Sequence, residues 1–179
     1  MLRSFLATLL LTATAIPAVA AQPARPAVQR DNPLIDYQGF RRLAAEVQPY
    51  RQARLVSWAE FDRLRGTRNV LILDARSESA FRRGHIRGAV NLPLPDFNAA
   101  SLRRIIGRSD RPILIYCNNN FSNNREPVMT KTIQLALNIQ TFINLVGYGY
   151  ENVRELNEVV DFNDPKIGWV RGRSPEGEV

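Results

Sequence analysis

The chain has 179 residues, 45% of them hydrophobic and 23% charged, a size and make-up that suit one folded domain. Its formal net charge of +7 is carried almost entirely by arginine, because Lys131 and Lys166 are the only lysines. The arginines are scattered, with pairs at Arg41-Arg42, Arg82-Arg83 and Arg103-Arg104 and no long basic run, which favours small anions or acidic partners over nucleic acid. One cysteine, Cys117, excludes an intramolecular disulfide, and one histidine, His85, excludes a histidine-rich metal site within a chain; no calcium-type carboxylate cluster is visible either.

Residues 1–21 read as a signal peptide. Arg3 precedes the apolar stretch Phe5-Leu6-Ala7-Thr8-Leu9-Leu10-Leu11, and Ala18-Val19-Ala20 fits a cleavage site, with Ala21 an alternative last residue. The apolar part is shorter than the ~20 residues a membrane span needs, and no cysteine stands near the cleavage point to carry a lipid, so the expectation is an exported protein, periplasmic or secreted, with no membrane attachment after cleavage. Residues 22–33, with Pro23, Pro26 and Pro33, read as a linker.

Residues 34–53 read as an N-terminal helical extension. Tyr37, Phe40, Leu43, Ala44 and Val47 fall on one helical face, and Pro49 is expected to end the helix. Leu55-Val56 is a short strand, and Ser57 with Glu60 has the spacing of a capping box for a helix running to Gly66. Val70-Leu71-Ile72-Leu73 is a continuous apolar strand closed by Asp74, as expected where both faces of a parallel sheet are covered. A helix over 77–83 capped by Ser77, a strand at Ala89–Leu92, and a helix marked by Leu102, Ile105 and Ile106 follow. Strand and helix alternate, which points to an α/β domain with a parallel sheet.

Arg111-Pro112-Ile113-Leu114-Ile115-Tyr116 is a buried strand that stops at Cys117, followed at once by Asn118-Asn119-Asn120. Ligands bind at the carboxyl ends of strands in open α/β sheets, so a thiol in this position is a candidate nucleophile; the alternative is a small core residue that ends the strand. The next amphipathic helix carries Ile139, Phe142, Ile143 and Val146, with Asn138 as its expected cap, so segment 118–137 is a long loop and is expected to form a lid over the thiol.

The order Asp74-Ala75-Arg76, Phe81, Gly84-His85-Ile86-Arg87-Gly88-Ala89 and Asn91-Leu92-Pro93 resembles the signature of rhodanese-like domains, and Tyr116-Cys117 stands where that family carries its catalytic cysteine. Gly149-Tyr150-Glu151-Asn152-Val153-Arg154-Glu155-Leu156 is similar to the family's last helix end and final strand. The resemblance covers about residues 54–160 and implies a three-layer domain over 54–162, with a central mostly parallel sheet flanked by helices and a C-terminal tail at 163–179.

It also implies sulfane-sulfur transfer through a persulfide on Cys117, from a small sulfur anion or persulfide donor to a thiol acceptor, with no cofactor and no metal; a protein partner is an open alternative. Asn118, Asn119, Asn120 and Arg125 are the expected substrate-binding residues, the asparagines because they accept left-handed backbone angles and Arg125 because it supplies positive charge. Asp74 and His85 are expected to organise structure near the site, and the thiol pKa is expected to be lowered.

Two departures stand out. The family's loop runs from cysteine through five residues with a glycine and an arginine into a helix, whereas here no glycine follows Cys117 and seven residues separate it from Arg125. The double glycine that often follows the final strand is replaced by Asn157-Glu158. A phosphatase or arsenate-reductase loop, with five residues between cysteine and arginine, fits the spacing less well; a non-catalytic binding or redox-sensing module is the main alternative to an enzyme.

Overall fold

The computed structural model describes residues 32–172, so the signal-peptide expectation for 1–21 and nearly all of the linker at 22–33 lie outside the described residues. The chain divides into two units, Met1–Ile35 and Asp36–Val179. Within the first unit, the described residues form a turn in which the Ile35 amide donates to the Asn32 carbonyl. No helix among the described residues is long and apolar enough to cross a membrane.

The second unit is a mixed α/β domain. Its elements in order are α1 (Tyr37–Gln52), β1 (Leu55–Val56), α2 (Trp58–Arg65), β2 (Leu71–Asp74), α3 (Glu78–Arg83), β3 (His85–Ile86), β4 (Ala89–Asn91), α4 (Ala99–Ile106), β5 (Ile113–Tyr116), α5 (Leu137–Gly147), β6 (Val153–Leu156) and β7 (Trp169–Val170). Five strands pair in the order β1-β6-β5-β2-β4, all parallel, and β3 pairs antiparallel with β7. The central strands β2 and β5 are buried along their whole length, which is why they read as unbroken apolar runs.

Alternation along the strands sorts the core into two layers. Leu71, Leu73, Ile113, Ile115 and Val153 face Val47 of α1, Leu102 and Ile106 of α4 and Phe142 of α5. Ile72, Leu114, Tyr116 and Leu156 face the other way, against Phe61 of α2, Ile86, Phe121, Val128, Phe162 and Ile167. The side chain that follows Tyr116 returns to the first layer. Cys117 therefore belongs on the side of α5.

Several local expectations are corrected by tertiary contacts. Pro49 lies inside α1, which runs on to Gln52. The missing amide costs one late-turn hydrogen bond, while Tyr50 donates its hydroxyl to the Glu151 carbonyl and Arg51 pairs with Glu155, so the last turn is pinned to the domain. Only the C-terminal half of the α1 stripe is covered, since Tyr37 and Phe40 are exposed. Ser57 caps α2 as expected, but Glu60 pairs with Arg63 instead of reaching back to the cap. Part of the expected tail is structural: Pro165–Ile167 forms a 3-10 turn, Ile167 is buried, and Trp169–Val170 completes the second sheet.

Candidate active site

The Asp74-Ala75-Arg76 segment builds a buried network beneath the carboxyl ends of β2 and β5. Arg76 donates Nε and Nη2 to the Asp74 carboxylate, at 2.9 and 2.6 Å, and reaches the carbonyls of Gly84 and Pro127. The Tyr116 hydroxyl donates to Asp74 at 2.6 Å and accepts from the Ile86 amide. Burial and the Asp74 carboxylate push the Tyr116 phenol well above its ordinary range, so it remains a donor. Asp74 and Arg76 are both almost fully buried, and their pairing satisfies each charge.

His85 hydrogen-bonds the Phe81 carbonyl through Nδ1 at 2.9 Å and stacks on the Phe81 ring at 3.8 Å. Beside it, Gly84 allows a close approach: a β-carbon there would stand 2.5 Å from Nε1 of Trp169. The Gly-His-Ile turn is thus shaped to seat β7.

Cys117 is 1% exposed and sits where β5 ends. Backbone amides of Asn119 and Asn120, from the turn that follows, and of Leu137 and Asn138, from the start of α5, point at its sulfur. The long excursion after the cysteine therefore brings a helix N-terminus back to the thiol, and α5 begins at Leu137. Asn138 is not the cap. Ala136 occupies that position without a side-chain bond, and Asn138 donates its side chain to Oδ1 of Asn120 at 3.0 Å.

The three asparagines act through their side chains. Asn118–Asn120 form one 3-10 turn with no left-handed residue, and positive φ appears later, at Asn124. Asn120 accepts from the Cys117 amide as well as from Asn138, and donates to the carbonyls of Leu156 and Glu158. Asn118 donates to the Met129 carbonyl, while Asn119 exchanges two bonds with the Lys131 backbone. The residues directly after the thiol are thereby tied to strap 129–136, which carries the exposed side chains Met129, Ile133 and Leu135.

Burial pushes the Cys117 thiol above its ordinary value, opposed by the amides of Asn138, Asn119 and Leu137 and reinforced by the Glu155 carboxylate. This corrects the expectation of a lowered thiol pKa: in the closed arrangement desolvation outweighs the amide donors. Glu155 is a buried acid that sequence reasoning missed. It lies on β6 opposite Ile115 and is held by a two-pronged contact from Arg51 of α1. No spacing rule links positions 51, 117 and 155, so only the sheet register could have found it.

Arg125 is not brought to the thiol. Its guanidinium lies 5.4 Å above the Phe162 ring, in a cleft whose walls contain neither Cys117 nor Asn118–Asn120. Among the described residues no group of three or more His, Cys, Asp or Glu could hold a metal ion.

Comparison with known proteins agrees with this architecture. The uncharacterized protein YqhL of Bacillus subtilis is 32% identical over 76 residues, covering 42% of this chain and 58% of YqhL, so the match spans little more than half of that relative. Wild-type EanB is 18% identical, with 69% of this chain and 33% of EanB covered at a TM-score of 0.50, a likeness of fold. The rhodanese-like domain of Alr3790 from Anabaena sp. is 21% identical, with 70% of this chain and 87% of that domain covered at a TM-score of 0.48. The family model for the rhodanese-like domain matches residues 57–158, more than half of the chain, which therefore belongs to the rhodanese-like family and is in general terms a sulfurtransferase-type or related module.

Proposed function

We propose that the protein transfers sulfane sulfur through a persulfide on Cys117. The observation that carries this reading is the set of four backbone amides, from Asn119, Asn120, Leu137 and Asn138, converging on one sulfur at a strand end. The thiolate attacks the outer sulfur of a donor such as thiosulfate; the donor's S–S bond breaks and sulfite departs with the bonding pair. Cys117 then holds the outer sulfur as a persulfide anion. A thiolate acceptor attacks that sulfur, and the Cys117 thiolate leaves. Amide donors suit both anionic states of the cysteine and require no reorganisation.

Because the thiol is buried, the reading requires strap 129–136 to move aside, which also lifts the desolvation that holds the thiol protonated. The bonds from Asn118 and Asn119 are what must break. The reading further includes export, on the strength of Arg3, the apolar stretch after it and Ala18-Val19-Ala20; the N-terminus of the processed protein should be Ala21 or Gln22 by direct sequencing.

A second reading, a non-catalytic binding module, is favoured by the same burial together with the exposed Met129, Ile133 and Leu135 on the strap. Intact-protein mass spectrometry after thiosulfate treatment separates the two. A mass gain of one sulfur that vanishes in Cys117→Ser supports transfer. An unmodified protein whose thiol alkylates only after unfolding makes the domain a binding module.

A further inference from the structure

On the Tyr116 side of the sheet a cleft of about 420 Å³ opens between the Arg83, Arg125 and Arg171 side chains, with Glu126 in its wall and Phe162 and Trp169 as its apolar surface. The three arginines come from sequence segments far apart and meet only in the fold. The ring pair is rigidly set: Phe162 and Trp169 stack at 5.1 Å and 18°, and Phe121, a buried core residue, braces Trp169 edge-on at 5.0 Å.

Two of the guanidiniums are positioned by a ring. Arg125 and Arg171 lie 5.4 and 5.6 Å from the centre of Phe162. A guanidinium held on an aromatic ring keeps its in-plane N–H donors, whereas one held by a carboxylate has spent two of them. Arg171 uses one donor on Oδ1 of Asn163, and the Arg125 guanidinium makes no hydrogen bond or ion pair among the described residues. Arg83 pairs with Glu126 at 2.8 Å, both half exposed. Asp161 feels the Arg125 charge, but its carboxylate is occupied mainly by the Asn123 side chain and the Asn163 amide. The walls thus hold three positive charges against one negative, in a space of the size that takes a small ligand.

We infer that this cleft is a binding site for a small oxyanion with two or more negative charges, of the phosphate or sulfate type, separate from the thiol. Arg125 and Arg171 grip it with charge-assisted hydrogen bonds. Glu126 competes with the anion for Arg83. The site lies across the sheet from α5 and its amides, so occupancy does not depend on Cys117.

Calorimetric titration of the whole protein with inorganic pyrophosphate at low salt tests this. Binding is expected in the wild type and equally in Cys117→Ser, about ten-fold weaker in Arg125→Ala and in Arg171→Ala, and several-fold tighter in Glu126→Gln, because Arg83 is then released. All three positions changed in the cleft carry exposed side chains, and unchanged far-UV circular dichroism confirms the fold of each variant. Absence of binding up to about 10 mM overturns the proposal, as does binding indifferent to Arg125 and Arg171. Loss of binding in Cys117→Ser overturns it too, since the anion would then sit at the thiol.

Discussion

Cys117 and Arg125 are eight positions apart in sequence, yet they lie on opposite faces of the sheet in opposite kinds of surroundings. The thiol is sealed, surrounded by neutral amides and pushed toward its protonated form. The cleft holding Arg125 is open, surrounded by guanidiniums and floored by rings. Amides at a helix start can stabilise a charge that appears only during reaction, while standing guanidiniums attract a charge that the ligand already carries. Sequence proximity alone suggests one site for the two side chains. Alternation at the end of β5 turns Cys117 to the α5 side, while Arg125 rests on Phe162 on the other side.

That separation can be broken or sharpened most strongly at Asn120, which belongs wholly to the thiol region. Its side chain makes four hydrogen bonds, to the Cys117 amide, Asn138, the Leu156 carbonyl at the end of β6 and the Glu158 carbonyl beyond it. Asn120→Ala should lower stability by about 3 kcal/mol, since each lost bond is worth ~1 kcal/mol net and buried partners are left unpaired. Urea denaturation gives the value. A loss below about 1 kcal/mol would mean that the turn is held by something else.

A smaller and local effect is expected at Asn119, whose two bonds to Lys131 are exposed. Asn119→Ala should cost at most about 1 kcal/mol and yet speed alkylation of native Cys117 several-fold, because it loosens the strap. Iodoacetamide kinetics under native conditions measure this. An unchanged rate would show that the strap does not gate the thiol.

The smallest effect is on pH dependence. The folded thiol has a raised pKa, so its proton stabilises the fold fully below the unfolded value of ~8.5, and that contribution is lost as pH rises from there toward the folded value. The wild type should therefore lose more stability than Cys117→Ser between neutral and alkaline pH. Parallel pH–stability curves for the two proteins would contradict a buried, protonated thiol. The cleft is expected to contribute nothing to this difference.

Much of the domain was legible in the sequence because local rules and tertiary packing agree there. Buried strands β2 and β5 are unbroken apolar runs, Ser57 and Ser77 cap the helices that follow them, and Gly84 through Pro93 carries a family signature. Even the late start of the helix after Cys117 was readable, since the amphipathic pattern begins only near residue 138. The rest was decided between segments distant in sequence. Pro49 stays helical because Tyr50 and Arg51 are anchored to residues 151 and 155. Asn138 forgoes capping because Asn120 offers it a buried acceptor. The thiol pKa depends on burial at the end of β5 and on a carboxylate brought in by strand register, neither of which a linear pattern encodes. Arg125 has the charge its sequence promised, but its guanidinium rests on Phe162, packed against Trp169 on the Tyr116 side of the sheet, a meeting of segments distant in sequence.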